Sequence, residues 1–285
     1  MSDFNRGIFL ILLAEFFYVA MWSLTKKLGT DYSAHMIMLW RMCVAILIPL
    51  ILIWQRGQWH ELTTRQPGRL LLRAALGSMS LFTAIWCIPR LPLATVSTLT
   101  QLGPVFIAIM GMFFLREKLS KNLALTLPLA LVGALLASGS PEIGLSTAAG
   151  VMILSNLLFS ASIITTRQLV QTHSSLTITF YASLFAILCS GIATFFEYKI
   201  PTLRDALLLS SLGLCAGIAQ LCITEAHRHA DASKLAPFAY SSVILSFLAG
   251  FVFWSEIPST TELYGAALII GSTFFLWYSN RKLSQ

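Results

Sequence analysis

Residues 92–117 read PLATVSTLTQLGPVFIAIMGMFFLRE and combine three features along one apolar run. Polar side chains recur at helical spacing, Pro104 interrupts the run, and Gly111 is followed six positions later by Glu117. A mostly apolar run of about 20 residues is typical of a helix that crosses a membrane. The same layout returns in residues 231–256, DASKLAPFAYSSVILSFLAGFVFWSE, so the pattern is repeated within the chain.

In the second copy Pro237 takes the place of the proline, and Gly250 precedes Glu256 at the same spacing. A further match supports the repeat, because residues 33–47, SAHMIMLWRMCVAIL, align with residues 174–188, SSLTITFYASLFAIL. Self-similarity at one offset indicates duplication of a structural unit. We therefore expect two copies of a unit of roughly 140 residues.

The composition excludes a soluble protein. Of the 285 residues, 56% are hydrophobic and 11% are charged, and the mean hydropathy is +0.77. A soluble domain carries about 25% charged residues, so these charges cannot cover a soluble surface of this size. The net charge of +7 could suit nucleic acid, but its distribution along the chain matches membrane topology instead. We expect a lipid bilayer, and no nucleic acid, among the partners.

The predicted fold is an all-α integral membrane protein with ten transmembrane helices. Lipid offers backbone groups no hydrogen-bond partners, and these runs are too long and too evenly apolar for barrel strands. The predicted spans are 7–25, 34–54, 70–88, 92–115, 122–139, 147–166, 175–196, 205–224, 232–254 and 261–280. A short link at 139–146 separates two five-helix halves, residues 1–143 and 144–285.

The basic residues predict the orientation of the chain. With the N-terminus inside, thirteen Lys and Arg residues flank the inner helix ends. The outer flanks hold Lys26, Lys27, Arg90, Lys199 and Arg204. Because Lys and Arg accumulate on the cytoplasmic side, we expect both termini in the cytoplasm and the protein in the bacterial inner membrane. Five helices per copy, an odd number, would make the second copy inverted, as in many secondary carriers.

Arg41, inside the second predicted span, is the one basic residue that is not assigned to a flank. A charge at that depth costs about 2.5–3.5 kcal/mol on the insertion scale, so it requires a partner or a function. Glu15, in the first helix, is the expected partner, whereas Ala182 occupies the matching position of the second copy. Two interpretations stay open and can both hold: a buried ion pair that joins the first two helices, or a site for substrate or proton.

Other polar and aromatic side chains are expected at or near membrane depth. The polar ones are Gln101, Asn156, Gln220 and Tyr240. Each either lines the space between the two halves or forms an interhelical hydrogen bond. Four tryptophans lie near the predicted outer ends: Trp22, Trp40, Trp86 and Trp254. An interfacial aromatic belt explains them, and for Trp40 and Trp86 an aromatic wall for a cationic or ring-bearing substrate stays open.

The sequence has no motif for nucleotide, hydrolytic or metal chemistry. It contains no Walker loop, no G-x-S-x-G and no H-E-x-x-H. The five cysteines lie in apolar runs without metal-ligand spacing, which is typical of small buried hydrophobes. We therefore expect no enzyme, no catalytic residue, no cofactor and no metal site.

The ten spans, the two inverted halves, the position of Arg41 and the Gly-x5-Glu endings together resemble the drug/metabolite transporter superfamily, EamA type. Residues 231–282 are similar to the S-adenosylmethionine uptake carriers of intracellular bacteria. The resemblance covers the whole chain and implies a central cavity between the halves. The residues expected to line it and bind substrate are Glu15, Trp40, Arg41, Trp86, Gln101, Asn156 and Tyr240.

The function expected from these features is secondary active transport of a small polar metabolite, an amino acid or a compound like S-adenosylmethionine, by alternating access. Pro104 and Pro237 are either hinges for that motion or fixed kinks. The alternatives are an exporter of amino acids or drugs with the same fold, a channel, and a membrane scaffold without transport. Further expected partners are a coupling ion or a counter-substrate, with the chain as a monomer or a homodimer.

Overall fold

The computed structural model is helical, without strands, throughout the part of the chain that it describes. The described residues are 3–57, 59–64, 66–115, 128–129, 132–133, 136, 146–169, 172–197, 199–229, 238 and 241–283. The α-helices with assigned bounds are α1 (Asp3–Leu28), α2 (Ala34–Ala45), α3 (Leu47–Arg56), α4 (Pro67–Cys87), α5 (Leu93–Thr100), α6 (Gly103–Leu115), α7 (Thr147–Leu169), α8 (Ser175–Phe196), α9 (Leu203–His229), α10 (Ser241–Trp254) and α11 (Thr260–Leu283).

Six helical stretches of the described residues are long and apolar enough to cross a membrane. They are Asn5–Leu28, Ala34–Gln55, Pro67–Arg90, Leu93–Gly111, Thr147–Thr166 and Leu176–Phe196. Each overlaps one predicted span. Helices α9, α10 and α11 overlap three more, but α10 is short and the other two are less apolar along their length. The predicted span 122–139 lies mostly outside the described residues, so the number ten remains a prediction.

The second and fourth predicted helices are each interrupted just before a proline, and each stretch is still long and apolar enough to cross a membrane. Helix α2 ends at Ala45 and Pro49 lies in the first turn of α3; α5 ends at Thr100 and Pro104 lies in the first turn of α6. A proline has no N–H to donate, and its ring collides with the carbonyl four residues back. Those carbonyls belong to the residues at which α2 and α5 end. Pro237, the other hinge candidate, lies outside the described residues.

Helices of the first half pack mainly against helices of the second. Helix α1 lies along α9, and α4 lies along α7. Helix α2 contacts α8 and α9, while α8 also contacts α4; α6 contacts α7, and α1 contacts α10. Taking the helices of the two halves in order matches α1 with α7, α2 with α8, α4 with α9 and α6 with α10. When each helix is replaced by its match, the α1–α9 contact becomes the α4–α7 contact. The same exchange relates α2–α9 to α4–α8 and α6–α7 to α1–α10.

Helix α5 lies at the centre of this packing. All seven residues from Leu93 to Leu99 are buried, and α5 contacts α7, α10 and α11. Large apolar side chains instead point outward from the surrounding helices, among them Phe9, Phe16, Ile51, Phe113, Ile192, Leu207, Ile244 and Phe251. Soluble monomers rarely expose apolar surface on this scale. The exposed side chains therefore form a surface suited to lipid.

Candidate functional site

Polar side chains from both halves meet where α1, the end of α5 and the start of α10 come together. Glu15 on α1 is 8% exposed and accepts a hydrogen bond from Ser242 on α10. Gln101, in the break between α5 and α6, donates from Nε2 to Ser242 Oγ at 3.2 Å. We call Glu15, Gln101 and Ser242 the Glu15 cluster. It brings together two predicted site residues through a serine that no sequence pattern singled out.

Tyr18 extends this polar region from α1 towards α9. Its hydroxyl donates to Gln220 Oε1 at 3.2 Å, and its ring stacks on Trp22 with centroids 6.4 Å apart. The charges of both Glu15 and Arg41 act on the Tyr18 hydroxyl, so Tyr18 lies within electrostatic reach of both. The region therefore offers hydrogen-bonding groups and an aromatic face at the same depth.

Arg41 is not paired with Glu15, so the expected ion pair between these residues was wrong. In the described part of the chain Lys26 forms an ion pair with Glu256 instead, and an imidazole lies close to a carboxylate at His35–Glu197 and at Glu225–His229. The Nε atom of Arg41 is buried and has no hydrogen-bond partner. Leaving a buried donor unsatisfied costs about 1–3 kcal/mol, and more when it is charged. An acceptor that reached this nitrogen would recover that cost.

The remaining predicted site residues are dispersed. Asn156 donates from Nδ2 to the Met152 carbonyl at 2.8 Å, so its amide nitrogen is used within α7. Trp40 packs partly buried against the apolar core between α1, α2 and α9. Trp86, at the end of α4, lies under the Arg90 guanidinium at 4.0 Å and lines a separate cavity of about 240 Å³. Tyr240 lies outside the described residues.

A second polar site surrounds Lys26, near the C-terminal end of α1. Lys26 was counted as an outer flanking residue, yet it is 8% exposed. Its Nζ donates to the Leu91 carbonyl at 2.7 Å, forms an ion pair with Glu256, and lies 5.7 Å from the Trp254 ring centroid. Glu256 Oε2 also accepts from the Leu93 N–H at 3.0 Å. We call Lys26, Glu256, the Leu91 carbonyl and the Leu93 N–H the Lys26 cluster.

The Gly-x5-Glu spacing has a physical explanation in the Lys26 cluster. Glu256 folds back over the end of α10, and a Cβ added at Gly250 would lie 2.7 Å from Glu256 Oε2. Ser255 turns the chain back with a φ of 55°, and the Glu256 N–H donates to the Gly250 carbonyl at 3.1 Å. A left-handed conformation is strained for a serine, so the hydrogen bonds and packing around the turn must stabilise it. The repeated Gly-x5-Glu motif pointed to Glu256 in the sequence, whereas no sequence pattern pointed to its partner Lys26.

The loop between α1 and α2 is tied to the start of α9 at the same end of α1. The Tyr32 hydroxyl donates to Asp205 Oδ2 at 2.6 Å. This hydrogen bond to a carboxylate is the main cause of a raised pKa for Tyr32, because ionisation would remove the donated proton. Lys199 lies over the Tyr32 ring, 5.0 Å from its centroid.

Comparison with known proteins places the chain among transporters. The chain is 27% identical to the pseudopaline exporter of Pseudomonas aeruginosa over 268 residues, 93% of this chain and 94% of that protein. It is 23% identical to the S-adenosylmethionine uptake transporter of Rickettsia bellii, over 91% of this chain and 89% of that protein. A solved crystal structure shares the fold with a TM-score of 0.67, at 16% identity, covering 96% of this chain and 99% of the other.

The model of one family matches the chain twice, over residues 5–139 and again over residues 146–278. The two matches together cover nearly the whole chain and meet at the link predicted between its halves. Together with the helical fold and the outward-facing apolar side chains, they identify a multi-pass membrane protein of bacterial type. The chain belongs to the EamA-like transporter family.

Proposed function

We propose that this protein is a secondary active transporter that moves a small polar metabolite across the bacterial inner membrane by alternating access. The observation that carries the proposal is the Glu15 cluster, in which buried polar groups of both halves meet. Ionisable residues inside membrane helices are costly and mark transport pathways. A site between the halves is also what alternating access requires, because it can face either side as the halves move.

The proposed architecture is ten helices in two inverted repeats, residues 1–143 and 144–285. Two features support it: the family model matches each half separately, and the helix contacts come in pairs that exchange when the halves are exchanged. In this arrangement the breaks that precede Pro49 and Pro104 are points at which helices can bend during transport.

The proposed substrate class is an amino acid or a compound that carries an amino-acid group, such as S-adenosylmethionine. Arg41 has a buried Nε without a partner, which suits a carboxylate. Glu15 offers a carboxyl group for an ammonium group or for a coupling proton. Tyr18 and Trp22 supply a stacked aromatic surface beside them. The Rickettsia bellii relative, named for S-adenosylmethionine uptake, supports the same class.

The second candidate is export rather than uptake. It is favoured by the similarity to the pseudopaline exporter, which covers 93% of this chain. The polar groups of the Glu15 cluster do not distinguish the two directions, since a site that alternates between both sides serves either.

Counterflow into proteoliposomes tests the proposal. Vesicles preloaded with one unlabelled compound, an amino acid or S-adenosylmethionine, receive its labelled form outside. We expect transient, saturable accumulation of at least one compound, because a carrier exchanges substrates through one site. The Arg204→Gln variant, altered at an outer flank, should behave like wild type. No flux of any tested compound in either direction would overturn the proposal, and an ohmic single-channel current would favour a channel.

A further inference from the structure

The Lys26 cluster joins the two halves of the chain through an ion pair and hydrogen bonds. Lys26 and Glu256 are 230 residues apart in the chain, and the lysine side chain is 10% exposed while that of Glu256 is 22% exposed. Lysine is almost never buried to this extent unless it is paired. Because Glu256 also accepts the Leu93 N–H, it caps the N-terminus of α5, where a negative charge is favoured.

A second contact holds α5 two residues further along the helix. Thr95 Oγ1 donates to Glu262 Oε1 at 3.1 Å, at the start of α11. Between the two contacts lies a cavity of about 150 Å³, lined in part by Ser246, Gly250 and Glu256. The Ser246 hydroxyl is buried without a partner. The start of α5 is therefore fastened to the α10–α11 connection at two points, beside unfilled space.

The Lys26 cluster and the Glu15 cluster lie along the same helix. Their α1 residues are eleven positions apart, which is about 16 Å at the α-helical rise of 1.5 Å per residue. Tyr18 and Trp22 stack in the interval, and Trp22 packs against both large apolar clusters of the core. Aromatic side chains and then the Lys26 cluster therefore separate the Glu15 cluster from solvent at the Lys26 end of the bundle.

We propose that the Lys26 cluster is a latch that closes the Lys26 end of the transporter, and that it opens once in each transport cycle. The inference rests on the proposed function, since a latch is needed only if the Glu15 cluster is reached from both sides. The group that Glu256 and the Leu91 carbonyl bind in the closed latch is an ammonium group, which the Lys26 side chain supplies. Its surroundings suit that chemistry: a carboxylate, a carbonyl oxygen and the face of Trp254.

An ion pair suits a contact that must form and break repeatedly. When two charges are buried together, their attraction is largely offset by the hydration that each has lost. When the end opens, water hydrates both groups, so the closed and open states stay close in free energy. The contact is selective for a cation, because the Glu256 carboxylate requires a positively charged hydrogen-bond donor opposite it.

The test compares two pairs of substitutions at one end of the bundle. The Lys26→Met/Glu256→Gln variant removes both charges of the latch, so neither is left unpaired. The His35→Gln/Glu197→Gln variant alters an imidazole–carboxylate contact, at 3.1 Å, that is more exposed and lies outside the Lys26 cluster. The reporter is the Cys87 thiol, which is 0% exposed and lies at the end of α4. Its reaction with a charged, membrane-impermeant maleimide is followed by mass spectrometry of the Cys87 peptide.

We expect the latch variant to label Cys87 at least tenfold faster than wild type, and the control variant to label at the wild-type rate. Equal labelling of wild type and latch variant would overturn the latch. Labelling is measured without substrate, so the latch and the transport proposal can fail separately.

A chemical rescue tests the ammonium chemistry directly. In Lys26→Ala the site for Nζ is vacated, and added propylammonium should slow Cys87 labelling again because it can donate to Glu256 and to the Leu91 carbonyl. Tetramethylammonium carries the same charge but has no N–H to donate, so it should not restore slow labelling. An equal effect of both ions would overturn the proposal that the latch holds a hydrogen-bonding ammonium group.

Discussion

At the scale of single residues, Arg41 and Glu15 illustrate how two charges can share a membrane interior without forming an ion pair. Glu15 takes its hydrogen bond from Ser242, and Arg41 keeps a buried Nε with no partner. Tyr18 lies within electrostatic reach of both charges. Each charge is thus separately available to a ligand, which suits a substrate that carries both a carboxylate and an ammonium group.

The Arg41→Lys substitution tests the role of the guanidinium. Lysine retains the positive charge but lacks the planar fork that binds a carboxylate through two hydrogen bonds. We expect substrate affinity to fall tenfold or more, about 1.4 kcal/mol, measured as a weaker substrate-induced rise in melting temperature. The same change at an outer flank, Arg204→Lys, is the control. If a Glu15→Gln/Arg41→Gln variant folds and transports with wild-type affinity, Arg41 has a structural role only.

At the scale of the helices, close approach is achieved where small residues face one another. A Cβ added at Gly133 would lie 2.8 Å from Ile269 Cγ1 and 2.9 Å from the Gly265 carbonyl oxygen, so the residue touches the backbone of α11. Gly271, on the same helix α11, has no atom of the described residues within 4 Å of an added Cβ. Small residues at such interfaces let helix backbones come together in lipid. Of these two glycines, only Gly133 is therefore required by a contact among the described residues.

Alanine substitutions at these two glycines should separate packing from helix propensity. Gly133→Ala should destabilise the protein by about 1–3 kcal/mol, because the backbone of α11 must shift to admit the methyl group. Gly271→Ala should be neutral or stabilise by up to about 1 kcal/mol, since alanine favours a helix over glycine. The measurement is thermal unfolding in detergent. Equal melting temperatures for the two variants would contradict the close approach at Gly133.

At the scale of the whole molecule, the most extensive helix contacts among the described residues join one half to the other. Helix α1 makes its most extensive contact with α9, and α4 makes its most extensive contact with α7. The Lys26 cluster and the Glu15 cluster both contain residues from the two halves. Movement of one half relative to the other must therefore alter both clusters together, which is the basis of the proposed alternation.

The orientation of the molecule is open to a direct test. The excess of basic residues at one set of helix ends predicts that both termini lie in the cytoplasm. We expect green fluorescent protein fused after Gln285 to fluoresce and alkaline phosphatase at the same position to be inactive. A fusion after Lys199, on the opposite predicted face, should reverse both results. An active phosphatase after Gln285 would show that the chain is inserted the other way round.

The amino-acid sequence by itself determined that this protein is helical, crosses a membrane and resembles the family to which it belongs. These properties follow from composition and from apolar runs, which are local and survive any arrangement of the helices. It also marked the Gly-x5-Glu endings and Pro104, although not the interruption before Pro49. The predicted site residues Glu15 and Gln101 meet, whereas Trp86 and Asn156 make their contacts elsewhere.

Only the tertiary structure decided which polar groups are partners. Sequence reasoning paired Arg41 with Glu15 and left Lys26 in an outer flank, whereas in the fold Lys26 pairs with Glu256, 230 residues away, and Glu15 bonds to Ser242. Such choices depend on how each helix is rotated about its axis and on how deeply it sits against helices of the other half. Neither quantity is encoded in a local pattern, because both result from packing many side chains at once.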